Sequence, residues 1–219
     1  MTHHHPDDDL LLEFSAGSVS PHIALCVSVH LKYCRQCRET LDRMQILGGV
    51  LLESIEEEPL GDSLFNSIMD KIDHYTEDPV AVPEGPLSLL KKWLPDGLNG
   101  LSWRTQWFKL SEVVLEIPKS GYWRLALQRI NAGGIAPLHG HGGREVTVVL
   151  QGGFSDETGV YETGDFVICD GSERHKPQAF RNEDCICLTY LEAPVRLEGP
   201  IGKWIERFRS LFLKEPLPQ

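Results

Sequence analysis

The segment His30-Leu-Lys-Tyr-Cys34-Arg-Gln-Cys37 carries an imidazole and two thiols at close spacing. At roughly 100° per helical residue, Cys34 lies about 40° and Cys37 about −20° from His30, so one helical stripe holds all three. On an unbroken helix His30 and Cys37 would stand about 10 Å apart along the axis, whereas ligand atoms around one zinc ion lie within about 4 Å of each other. The helix must therefore end or bend near Cys34, and a C-x-x-C knuckle closing on Zn²⁺ does this. Thiolates and imidazole together favour zinc among divalent metals. The competing readings are two core cysteines, disfavoured by the flanking arginines, and a thioredoxin-like redox pair, disfavoured because no strand-helix-strand pattern surrounds them. A closed structural site needs a fourth ligand. His3, His4, His5, His22 and Cys26 are the candidates. His22 and Cys26 lie too far up the same helix, while His5 precedes Pro6-Asp7-Asp8 at a helix start and can reach across. His5 is the preferred ligand; the alternative for the His triplet is a tag remnant, for which three residues are few.

A second constellation lies further on: Gly133-x5-His139-x-His141-x3-Glu145-x6-Gly152. His139 and His141 alternate on a strand and so share a face, and Glu145 re-enters on the next stretch. Gly164-Asp-Phe-Val-Ile-Cys-Asp-Gly-Ser-Glu-Arg-His175 supplies a third imidazole after a turn. Three imidazoles and a carboxylate suit Zn²⁺, Mn²⁺, Fe²⁺ or Ni²⁺. Cys185 and Cys187 alternate on a late strand with Cα atoms about 6.6 Å apart, near the outer limit for a disulfide. They read first as small apolar strand residues, and alternatively as an oxidant-sensing pair near the metal.

The elements that must position these residues follow from periodicity. Asp7 to Ala16 reads as a first helix with acidic residues in its opening turn, and Ser20-Pro21 opens a second that runs to the cysteines. A third spans about Arg38 to Glu57, with Leu41, Met44, Leu47, Leu51 and Ile55 on one face and Gly48-Gly49 as an interruption. Asp62 caps a fourth whose stripe, Leu64, Phe65, Ile68, Met69 and Ile72, is a candidate groove wall for another protein's helix. Tyr75 to Pro86 is a Pro-rich linker, and Leu87 to Leu94 a short helix. Then the period shifts to strands: Val113–Ile117, Trp123–Ile130, Glu145–Leu150, Asp165–Cys169 and Cys185–Leu191, the pattern of an antiparallel sandwich or barrel. From Pro200 an amphipathic helix returns, its apolar face suited to packing on the barrel.

The expected organisation is therefore two-domain α + β. Residues 1–74 form a small zinc-binding four-helix domain, 75–94 a linker and short helix, 95–198 a β-barrel, and 199–219 the terminal helix. The chain has 219 residues and a net charge of −11. Through Gly85 there are 16 acidic and 5 basic residues, and beyond it 16 of each, so the excess charge sits on the helical part. Such a surface repels a phosphate backbone and attracts a basic protein partner, which argues against direct nucleic-acid binding. Nothing approaches a membrane span, no export signal opens the chain, and the unpaired cysteines fit a reducing, cytoplasmic compartment.

The His139/His141/Glu145 pattern with its glycines, extended to His175, resembles the cupin family over roughly residues 121–193. The first cupin motif is complete. In the second, Asp170 replaces the usual Pro, Ser172 the usual Gly, and no Asn follows His175 at the usual interval. An N-terminal His followed by H-x3-C-x2-C on the next helix resembles the zinc-binding anti-sigma domain, and its combination with a cupin looks like the ChrR-type anti-sigma factors. That resemblance implies His5, His30, Cys34 and Cys37 as zinc ligands and His139, His141, Glu145 and His175 as cupin ligands. It implies a cytoplasmic, non-enzymatic inhibitor of an extracytoplasmic-function sigma factor, with the cupin answering singlet oxygen or a related oxidant. The rival class is a metal-dependent cupin enzyme, a dioxygenase, isomerase or lyase, with a helical oligomerisation domain. A sugar-responsive DNA-binding regulator would need a basic reading helix that is not found.

Overall fold

The computed structural model describes residues 2–59, 61–76, 85–107, 109–118 and 122–197. The middle of the expected linker and the expected C-terminal helix lie outside the described residues.

Helix α1 (Asp8–Ser15) begins where the Asp7 carboxylate accepts the Leu10 N–H at 2.8 Å, with Asp8 and Asp9 placing negative charge at its positive end. Helix α2 (Pro21–Tyr33) opens on Ser20, whose hydroxyl accepts the Ile23 N–H, and Pro21 occupies the first turn where its missing N–H is no loss. Cys34 ends it. At φ −100° and ψ 109°, Cys34 is extended; it is the C-cap of α2 and the N-cap of α3 (Arg35–Glu53). Its Sγ accepts the Cys37 N–H at 3.4 Å. The chain thus turns where one-ion geometry required it to turn.

Helix α3 starts at Arg35, earlier than the expected Arg38, and ends at Glu53 instead of Glu57. It runs unbroken through Gly48-Gly49. Neither glycine has a neighbour within 4 Å of the place a Cβ would take, and an interior glycine costs about 1 kcal/mol, too little to break a long helix. In α4 (Asp62–Asp73), Gly61 holds the cap position without a side-chain hydrogen bond, and Asp62, the expected cap, is the first helical residue. The expected short helix is a 3₁₀ segment, Pro86–Leu90. Helices α1, α2 and α3 pack on one another. No residue of α4 is buried, so the four helices do not close around one another as expected.

Among the described residues twelve strands follow. They are β1 (Arg104–Trp107), β2 (Leu110–Glu116), β3 (Arg124–Ile130), β4 (His139–His141), β5 (Glu145–Gln151) and β6 (Gly153–Ser155), then β7 (Val160–Glu162), β8 (Phe166–Cys169), β9 (Arg174–His175), β10 (Gln178–Ala179), β11 (Cys185–Leu191) and β12 (Val195–Leu197). One sheet of six runs β1-β2-β3-β11-β5-β8, and two sheets of three run β10-β6-β7 and β12-β4-β9. Every pairing is antiparallel.

Strand alternation splits the large sheet into two faces. Leu125, Leu127, Val146, Val148, Ile186 and Leu188 pack against Ile23, Cys26 and Val27 of α2 and against Leu90 and Leu94 in one continuous core. The opposite face, with Gln128, Glu145, Thr147, Cys185 and Cys187, lines a cavity of about 310 Å³. Helix α2 is therefore buried on two sides, by α1 and α3 and by the sheet. Among the described residues no helix is long and apolar enough to cross a membrane.

Leu188 is fully buried between the sheet and α2. Leu188→Ala should lower unfolding free energy by about 3 kcal/mol through lost burial and the cavity left behind. A urea titration checks this, and a loss under about 1 kcal/mol would show that α2 does not seal the sheet.

Candidate metal centres

The first group draws on three segments. The segment before α1 brings His5, the last turn of α2 brings His30, and the α2–α3 junction brings Cys34 and Cys37. Their ligand atoms all lie within 4.8 Å of one another. His5 Nδ1 is 3.3 Å from Cys34 Sγ and 3.5 Å from Cys37 Sγ, and His30 Nε2 is 3.3 Å from Cys37 Sγ. The edges of a tetrahedral zinc site with two thiolates and two imidazoles measure about 3.3 to 3.8 Å, so the donor set fits such an ion. His30 Nδ1 donates to the Gly164 carbonyl at 2.7 Å, which leaves Nε2 as the inward lone pair. Burial pushes the His30 pKa down to about 4, keeping the imidazole neutral. Burial and the adjoining Cys34 push the Cys37 thiol up to about 12, because two thiolates cannot share a dry site without a cation.

Three of the other candidates for the fourth position go elsewhere. His4 points its ring at Tyr161 and the Val160 carbonyl. His22 packs at a tilt against Trp123 and stacks on Tyr190. Cys26 is buried in the helix–sheet core.

The second group is built by sheet register. Strands β4 and β9 pair with His139 opposite His175, and β5 begins at Glu145. His175 Nε2 lies 3.0 Å from His139 Nε2 and 3.2 Å from His141 Nε2. Glu145 Oε2 is 2.5 Å from His141 Nε2 and 3.9 Å from His175 Nε2, yet accepts no well-aligned hydrogen bond. The outer ring nitrogens explain the orientation. His139 Nδ1 donates to the Pro137 carbonyl at 2.7 Å, and His175 Nδ1 to Asp156 Oδ2 at 3.3 Å. Thr147 donates to Glu145 Oε1 at 3.0 Å, leaving Oε2 for the histidines.

With two outer nitrogens donating, lone pairs and a carboxylate oxygen converge on one point, an arrangement that repels itself unless a cation is shared. These residues fit a divalent ion. Burial and the neighbouring His175 lower the His139 pKa to about 4. Burial alone would raise the Glu145 carboxyl, but the surrounding imidazoles outweigh it and hold it ionised. The departures in the second cupin motif also find a cause. Asp170 Oδ1 accepts the Ser172 N–H at 2.7 Å and its hydroxyl at 2.5 Å, forming an Asx turn where the family has Pro and Gly.

Cys185 and Cys187 sit in the cavity wall with Sγ atoms 3.6 Å apart. Contact with Cys185, and then burial, hold the Cys187 thiol well above its usual range. The stripe Leu64, Phe65, Ile68, Met69 and Ile72 is exposed along α4, Phe65 by 58% and Ile72 by 59%. Sequence reading missed that Ile46, Leu47, Val50 and Leu51 of α3, and Ile55 just beyond it, are equally uncovered. It also missed Asp156, Thr147 and Gly164, which hold the ligands in place.

Protein purified without chelator should carry two divalent ions per chain. By elemental analysis Cys34→Ala should lose one and His141→Ala the other, while Cys26→Ala should keep both. Retention of two ions by either ligand variant would contradict the grouping.

Three comparisons bear on identity. Residues 102–194 match the family model described as the ChrR Cupin-like domain. The anti-sigma-E factor ChrR of Cereibacter sphaeroides is 34% identical over 209 residues, 94% of this chain and 97% of that protein. The crystal structure of Rhodobacter sphaeroides SigE in complex with the anti-sigma ChrR superposes with a TM-score of 0.74 at 34% identity, over 87% of this chain and all of that one. With a relative this similar along nearly its whole length, the chain belongs to the ChrR family of anti-sigma factors.

Proposed function

We propose that this chain is a cytoplasmic anti-sigma factor that holds an extracytoplasmic-function sigma factor and lets it go when its C-terminal part meets singlet oxygen or a related oxidant. The observation that carries the reading is the apolar surface along the second half of α3 and along α4, where ten large apolar side chains stand exposed among the described residues. Patches of that extent on a soluble protein mark a protein interface. The relative whose complex is solved is bound to SigE. The acidic first part, with 16 acidic and 5 basic residues through Gly85, suits the basic DNA-binding surfaces that a sigma factor presents.

In this reading residues 1–74 hold the partner, 75–94 connect, and 95–198 form a cupin barrel that senses. Zinc held by His5, His30, Cys34 and Cys37 would contribute folding free energy on the order of 10 kcal/mol to short helices that cannot persist alone. His30 stays neutral, its ring fixed by Gly164, and Cys34 fixes the angle between α2 and α3. The second centre, His139, His141, Glu145 and His175, would hold zinc or another divalent ion in the cavity wall. As a member of a regulatory family the chain is read as a binding protein and not as an enzyme. Cys185 and Cys187 form its redox candidate, a slow one, because the raised Cys187 pKa leaves little thiolate.

Phe65→Asp combined with Met69→Asp should weaken capture of the partner sigma factor by about a hundredfold or more while metal content stays unchanged. Titration calorimetry and elemental analysis on the same preparations decide it. Undiminished binding would remove the α4 stripe as the docking surface.

A further inference from the structure

Residues 153–166, from β6 through β7 to the start of β8, support both candidate centres at once. At the far end, Asp156 has a side chain only 2% exposed, and its Oδ2 accepts from His175 Nδ1 at 3.3 Å. Its Oδ1 accepts the N–H groups of Thr158 and Gly159 at 2.9 and 3.1 Å and the Thr158 hydroxyl at 2.7 Å. That hydroxyl lies 2.7 Å from the Tyr161 hydroxyl. The Tyr161 ring meets the His4 ring at 4.5 Å between centroids, and His4 Nε2 is 3.1 Å from the Val160 carbonyl.

At the near end, the Gly164 carbonyl accepts from His30 Nδ1 at 2.7 Å. Asp165 is fully buried, and its Oδ1 accepts the His3 and His4 N–H groups at 2.7 and 3.2 Å, while Phe166 N–H donates to the His4 carbonyl at 3.0 Å. His4 is thereby held at ring and backbone, one residue before ligand His5. Gly164 has φ +96°, and a Cβ there would lie 2.7 Å from Thr2 and Tyr33 atoms, so the turn and the helical cluster fit without slack.

The geometry points to a linkage between the two centres: residues 156–166 couple metal retention at His139, His141, Glu145 and His175 to metal retention at His5, His30, Cys34 and Cys37. The inference rests on the reading that each group holds one ion. When His175 is no longer fixed at Nε2, its ring is free to turn, and the buried Asp156 carboxylate loses the donor that balances it. The turn closed by Asp156 Oδ1 then shifts, and with it the Thr158–Tyr161–His4 contacts that align His5. The coupling must act equally in both directions, since binding linkage is reciprocal.

The test uses full-length protein loaded to two zinc ions per chain. Alkylation of Cys34 and Cys37, resolved by peptide mass mapping, reports opening of the first centre. In His139→Ala, which empties the second centre, alkylation of that pair should accelerate by about tenfold or more. With Thr158→Val and Tyr161→Leu in the background, emptying the second centre should change the rate by less than about twofold. Wild-type protein loaded to one and to two ions gives the same comparison without relying on the fold of His139→Ala. Rates independent of the second centre in the wild type overturn the linkage alone. Failure to take up two ions overturns it together with the functional reading.

Discussion

Everything in the helical part depends on one convergence: four ligand atoms from three separate stretches of chain held within 4.8 Å. Helix α1 has eight residues and α2 thirteen, lengths at which isolated helices barely form in water. What orients them is the meeting of His5, His30, Cys34 and Cys37 at the point where α2 stops and α3 starts. Cys34 carries two duties there, ending one helix and capping the next. The direction in which α3 leaves the cluster, and so where its uncovered apolar side is presented, follows from that single extended residue.

The same convergence is seated on the sheet. Helix α2 is apolar on two sides because it separates the small helical cluster from β3, β11 and β5. The ring of His30 finds its outer hydrogen bond on Gly164, a residue of the β structure. Built this way, the helical cluster and the sheet share one core and do not hang apart on a loose tether. The α2–α3 junction and the cavity with the second ligand group are joined through packed and hydrogen-bonded atoms, which is the physical requirement for one to influence the other.

Much of the ligand chemistry was legible in the residues themselves. The spacing of His30, Cys34 and Cys37 demanded a break at Cys34, and the break is there; the alternation of His139 and His141 demanded a strand, and β4 is there. His5 was separable from its neighbours because a helix start follows it. What could not be read was everything set by distant chain: Asp156 shows itself only as a turn residue, and Gly164 only as a turn glycine, until β8 is laid beside the N-terminus. Helix α3 was placed late because Arg35-Gln36 read as knuckle loop, and broken at Gly48-Gly49 because two glycines suggest a kink. Periodicity identified an apolar side on α3 and α4. It is silent on whether anything covers that side, and Leu47, Leu51 and Ile55 are exposed.

The most direct test of the central claim is the affinity of the full-length chain for its sigma factor, measured by titration with the first centre zinc-loaded and again after zinc is stripped under reducing conditions. If the ion orients the docking helices, stripping should weaken binding by about a hundredfold or more, and restored zinc should recover it. Equal affinity with and without the metal would contradict the account.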